Sequence, residues 1–170
     1  YKLICFDVDG TLVDNVVYSW ELFHSHFNVD MKRRKKARDK FYNGEIDYIQ
    51  WAEHDIGMWL EKKARKDQFL KAIKNGKLKL MAGAREVIET LKKKGYKLAI
   101  ISGSLNIILE ALMPDYEDLF DDVFLSRLYF DKRGFISDVK ATEYDMHGKA
   151  DALRLIAKRE NIPLSECVFI

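Results

Sequence analysis

The chain has 170 residues, 48% of them hydrophobic and 33% charged, which suits one folded core, or a core with a modest insertion, and excludes a disordered tail. Twenty-nine Lys and Arg stand against 27 Asp and Glu, and a net charge of +2 is no argument for a nucleic-acid partner. No apolar run reaches the roughly eighteen residues that cross a membrane, and no charged-then-apolar leader opens the chain, so neither a membrane span nor secretion is expected.

Apolar strands alternate with helical patterns along the chain. Lys2–Val8 reads as a buried strand, and Val16–Phe27 as a helix with Trp20, Phe23 and Phe27 on one face. Residues 30–76 carry helical patterns only. Within them Lys32–Lys40 holds seven basic residues in nine positions, spread all round a helix, which reads as a solvated surface rather than a nucleic-acid site. Trp51 and Trp59 share a helical face and read as core. His24, His26 and His54 show no ligand spacing, so no transition-metal site is expected.

Ala84–Lys94 is an amphipathic helix with Val87, Ile88 and Leu91 inward, ended by Gly95. Lys97–Ser102 is a second buried strand, Asn106–Leu112 a short helix stopped by Pro114, and Asp122–Leu125 strand-like. Arg127–Phe130 and Phe135–Val139 flank a turn containing Gly134, a hairpin signal. Gly148–Glu160 reads as a helix with Ala152, Leu155 and Ile156 inward, and Val168–Ile170 as a last strand. The order implies an α/β parallel sheet covered by helices on both faces, interrupted by a helical insertion and joined by a β-hairpin. Cys5 and Cys167 fall in apolar strands far apart, which reads as small buried hydrophobes in a reducing compartment, the cytoplasm. The chain opens inside one strand at Tyr1 and stops on another at Ile170, so further residues are expected at both ends.

The chemistry is expected where the first strand ends. Asp7-Val8-Asp9-Gly10-Thr11 puts two carboxylates two residues apart, on one side of an extended chain. At about 4 Å they would repel by roughly 4 kcal/mol at an effective dielectric of about 20, so a cation or a shared proton must relieve them.

Phe6–Val13 resembles the first signature of haloacid dehalogenase-type phosphatases. Ile100-Ile-Ser-Gly103 is similar to the second, and Gly148-Lys149 to the third. Leu80–Ile88 resembles the stretch where such chains return from cap to core. The resemblance covers nearly the whole chain and implies a Rossmann-like core at residues 1–15 and 77–170, lacking its C-terminal end, with a helical cap at 16–76. It also implies a Mg²⁺-dependent phosphomonoester hydrolase acting on a small phosphorylated metabolite. Asp7 would be the nucleophile forming an aspartyl-phosphate, and Asp9 the general acid and base. Ser102 and Lys149 would be catalytic, with Gly10, Thr11, Gly103 and Ser104 holding substrate. Asp7 and the Asp9 backbone carbonyl would ligate Mg²⁺, with a further acidic ligand expected after Ile170.

The phosphoserine phosphatase branch is the most similar, but three of its features differ here. Val stands in Asn15–Ser19 where that branch has an amine-binding acid, Ser104 follows Gly103 where it has a second glycine, and Tyr48–Trp59 contains no Arg for a carboxylate. His147 reads as a loop residue. A phosphotransferase or phosphomutase of the same superfamily, or a non-catalytic binding module, are the alternative readings.

Overall fold

A computed structural model describes residues 1–170 apart from the side chain of His147. Its central sheet has five strands in the order β6-β5-β4-β1-β7. These are β1 (Leu3–Phe6), β4 (Lys97–Leu105), β5 (Asp122–Phe130), β6 (Ile136–Lys140) and β7 (Cys167–Phe169). β1 pairs in parallel with both β4 and β7, β4 is parallel to β5, and β6 closes the edge antiparallel to β5.

Side chains alternate across the pleat, and the two faces of β1 and β4 have separate partners. Leu3, Cys5, Ala99 and Ile101 face α8 (Lys149–Arg159) through Ala152, Ile156 and Ala157. Ile4, Phe6, Leu98 and Ile100 face the opposite way, into the cluster that includes Ile88 of α5 (Ala84–Lys93) and Ile107 of α6 (Asn106–Leu112). A short helix, α7 (Tyr116–Leu119), leads into β5. Cys5 is fully buried, which pushes its thiol up to about 12, while Cys167 is half-buried; both are free thiols.

Between β2 (Val13–Asp14) and β3 (Lys79–Leu80), which pair antiparallel, the chain forms four helices. They are α1 (Ser19–His26), α2 (Met31–Tyr42), α3 (Tyr48–Glu61) and α4 (Lys66–Asn75). Trp20, Phe23, Trp59 and Phe69 stack edge-to-face or tilted at centroid distances of 5.0–5.9 Å in their interior.

Several expectations are corrected. The helix expected from Val16 starts at Ser19, because residues 15–18 form an irregular segment with Asn15 at φ 66° and Tyr18 extended. β2 and β3 are two residues each, too short to show a period. The run at 122–130 is one strand: its first half pairs with β4 and its second half with β6. Val87 and Leu155, expected inward, are exposed. Each adjoins a fully buried Ile (Ile88 and Ile156), and neighbours on a helix lie about 100° apart, so only one of each pair points at the sheet. Arg34, expected on a solvated surface, is buried.

Candidate active site

β1 and β4 lie side by side in the sheet, and their carboxyl ends open onto a cavity of about 300 Å³. Asp7, Asp9, Ser102, Gly103, Ser104 and Lys149 line it, with Val17, Tyr18, Asp145 and Met146 around its mouth. Gly10 and Thr11 belong to the same loop but do not line the cavity. Gly10 takes φ 74°, and Thr11 N–H donates to the Val8 carbonyl at 3.2 Å, turning the chain back on itself.

Asp7 accepts from the Val8 N–H at 2.8 Å and from Lys149 Nζ at 2.6 Å. Lys149 reaches it from the first turn of α8. Gly148 precedes it where a Cβ would strike the Glu143 carbonyl at 2.3 Å. Asp9 turns away from that pair. Its Oδ2 accepts from the Ser19 N–H at 2.6 Å and its Oδ1 from the Ser104 hydroxyl at 3.0 Å. Burial raises the Asp9 carboxyl above the usual range, against the lowering effect of the Ser19 and Ser104 bonds, and the Asp7 charge adds to the rise. Two carboxylates two residues apart are thus separated in role, one paired with a cation and one biased toward its proton.

Ser102 Oγ accepts from the Ser104 N–H at 3.2 Å, so its own O–H remains to donate into the cavity. Ser104, expected on substrate, spends its hydroxyl proton on Asp9. Gly103 offers its carbonyl to Trp20 Nε1 at 3.0 Å. Its missing side chain matters on the other side, since a Cβ there would overlap the Asp145 carboxylate and lie 2.7 Å from the Tyr48 hydroxyl. Tyr48 donates to Asp145 Oδ2 at 2.6 Å. Burial and the Asp145 charge push the Tyr48 hydroxyl far above its ordinary range, so it stays a donor.

Sequence reasoning did not single out Asp145, Tyr48, Tyr18, Met146 or Ser19. Asp145 carried one available signal: it lies four residues before Lys149, next to a helix start. His147 beside it has its side chain outside the described residues. His24, Arg34 and Asp55 form a separate buried group, with the half-buried His54 at its edge. A larger cavity of about 550 Å³ lies between α2 and α3, lined by Lys32, Arg33, Lys36 and Lys40 among others, and its one carboxylate is Asp30.

A Mg²⁺ ion needs hard oxygen donors. Asp7 supplies a carboxylate at the cavity wall, and no loop hydrogen bond of the described residues ends on the Asp9 carbonyl. These two groups suit the ion chemically. Among the described residues no cluster of three or more His, Cys, Asp or Glu could hold a metal unaided.

A family-wide sequence model described as haloacid dehalogenase-like hydrolase matches residues 1–170. The chain belongs to the haloacid dehalogenase-like hydrolase family. Within it the chain is of the phosphatase type and falls in the phosphoserine phosphatase-like branch. It is 29% identical over 173 residues to the phosphoserine phosphatase of Methanocaldococcus jannaschii, covering 99% of this chain and 76% of that protein. With the phosphoserine phosphatase of Streptomyces coelicolor it shares 27% over 169 residues, 99% of this chain but 39% of that one. A solved structure of a phospho-aspartyl intermediate analogue of phosphoserine phosphatase superposes with a TM-score of 0.67 at 29% identity, over 99% of this chain and 76% of that one. A family hydrolase from Salmonella enterica serovar Typhi, at 20% identity and TM-score 0.70 over 98% of this chain and 54% of that one, shares the fold.

Proposed function

We propose that this chain hydrolyses a small phosphomonoester through an aspartyl-phosphate on Asp7, with Mg²⁺ as cofactor. The observation that carries the reading is the division of labour between the two carboxylates: Asp7 held 2.6 Å from Lys149, and Asp9 half-buried, bonded to Ser19 and Ser104, with its carboxyl raised. Residues 1–15 and 77–170 would act as the core and residues 16–76 as a cap over the cavity. The free thiols of Cys5 and Cys167 favour the cytoplasm.

An Asp7 oxygen attacks phosphorus, and the bond from phosphorus to the alcohol oxygen breaks. Asp9 hands its proton to the departing oxygen, which its raised carboxyl is suited to do. Now a carboxylate, Asp9 takes a proton from water as that water attacks phosphorus. The bond to Asp7 breaks, phosphate leaves, and Asp9 is protonated again. The Ser102 hydroxyl and Lys149 ammonium face the phosphoryl oxygens as charge spreads onto them. Mg²⁺, held by Asp7 and the Asp9 carbonyl, would supply a further positive charge to the phosphoryl group.

The test is phosphate release from a panel of small phosphomonoesters with and without Mg²⁺, in wild type and Asp7→Asn. The expected result is Mg²⁺-dependent release that the substitution abolishes. A folded wild type releasing no phosphate from any ester overturns the reading.

A further inference from the structure

The mouth of the cavity contains a carboxylate that catalysis does not use. The Asp145 side chain is 12% exposed, and among the described residues only one of its oxygens has a hydrogen-bond donor: Oδ2 accepts from Tyr48. The neighbour of Oδ1 is Lys149 Nζ at 3.8 Å, too far for a hydrogen bond, and that ammonium is already bound to Asp7 at 2.6 Å. Among the described residues Oδ1 has no hydrogen-bond donor, and it belongs to a side chain that lines the cavity, where the donor of a ligand can meet it.

The charges around it sharpen the question. Among the described residues lining the cavity, Lys149 is the one basic side chain, set against the carboxylates of Asp7 and Asp145 even with Asp9 protonated. A phosphate monoester adds further negative charge, so a negative group on its alcohol part would meet Asp145 without a cation to answer it. No arginine lines the cavity among the described residues. Arg34 has its guanidinium 5.7 Å from the Tyr18 ring centroid and donates from Nε to Asp55 at 3.2 Å. Beside Asp145 the mouth offers the Tyr18 ring, the Met146 thioether and Val17, a surface that suits an ammonium on a short alkyl chain.

Resting on the phosphatase reading, we infer that the alcohol part of the substrate carries an amine and no carboxylate, and that Asp145 binds the amine. The substrate class is an aminoalkyl phosphate. This separates the chain from relatives named for phosphoserine, whose substrate carries both groups.

The experiment compares kcat/KM, in the full chain with Mg²⁺, for 2-aminoethyl phosphate, for n-propyl phosphate (the same shape without the charge) and for O-phosphoserine (the same amine plus a carboxylate). The expected result is at least about a tenfold preference for the aminoethyl over the propyl ester, the scale of one hydrogen bond to a charged group, with phosphoserine below the aminoethyl ester. In Asp145→Asn the aminoethyl-to-propyl ratio falls toward one. Phosphoserine turned over as well as the aminoethyl ester, or a ratio that survives Asp145→Asn, overturns the inference. No phosphate from any of the three counts against the phosphatase reading instead. Calorimetric binding of the same esters to Asp7→Asn then reads the amine preference independently of turnover: a preference for the aminoethyl ester sustains the assignment of Asp145, and equal binding ends it.

Discussion

Tyr48 and Asp145, 97 residues apart in the chain, share a 2.6 Å hydrogen bond that joins the first turn of α3 to the segment preceding α8. The bond passes directly over Gly103, which has room for it only because it lacks a Cβ. Tyr48→Phe therefore strands a largely buried carboxylate oxygen, at a cost of about 1–3 kcal/mol. Gly103→Ala forces the same pair apart, with an overpacking cost of about 1–3 kcal/mol. Chemical denaturation of each variant checks these values. If the two substitutions act on one contact, the double variant should lose less than the sum of the singles.

Much of this architecture was legible because buried strands and amphipathic helices leave periodic traces. Lys2–Val8 and Lys97–Ser102 could be read as buried strands, and Asp7, Asp9, Ser102 and Lys149 fell at strand ends or a helix start, where the sheet brings them together. Tyr48 and Asp145 could not be paired from sequence, since nothing local links residues on separate segments that meet only in the fold. Arg34 was hidden for a related reason. It is one of seven basic residues in Lys32–Lys40, its burial depends on Asp55, a helix away, and the pattern of α2 alone does not show which face α3 covers.

The raised Asp9 carboxyl has a consequence for stability. A carboxyl whose folded pKa lies above its unfolded value binds its proton more tightly in the folded state. The stability it contributes is complete below the unfolded pKa and is lost as pH rises through the folded one. Asp9→Asn, in metal-free protein, removes that loss: the amide oxygen can accept from the Ser19 N–H, and the amide N–H can donate to the Ser104 hydroxyl. The variant should melt higher than wild type at about pH 7, and the gap should close by about pH 3, below the ordinary carboxyl range. It should also lose phosphatase turnover. Melting curves across that pH range, run in chelator, decide the matter.

Lys149 is the direct cationic partner of Asp7, and Lys149→Met keeps its length while removing the charge. Removing one such electrostatic contact to a reacting group is expected to cost about 10²–10³ in kcat. Ester binding to the metal-loaded variant, measured by calorimetry, should weaken as well, because the cavity's one described basic side chain is gone. A variant that binds normally and turns over within about tenfold of wild type would remove Lys149 from the phosphoryl site.

Asp55 holds the interior of the four-helix segment together through polar contacts rather than packing alone. Its Oδ2 receives His24 Nε2 at 3.0 Å and Arg34 Nε at 3.2 Å, and its Oδ1 lies 3.1 Å from His54 Nδ1. His24 Nδ1 accepts from Trp59 Nε1 at 3.1 Å, which places the imidazole proton on Nε2, pointing at Asp55. Asp55→Asn retains the shape but leaves the Arg34 charge buried without its counter-ion, and breaking such a pair costs about 3–5 kcal/mol. Lys36→Ala, on the same basic helix but exposed, should change stability by less than about 0.5 kcal/mol. Urea unfolding of the two variants side by side separates a buried arginine with a structural partner from a lysine that solvent serves equally well. Equal effects would mean that the Arg34–Asp55 pair carries none of the segment's stability.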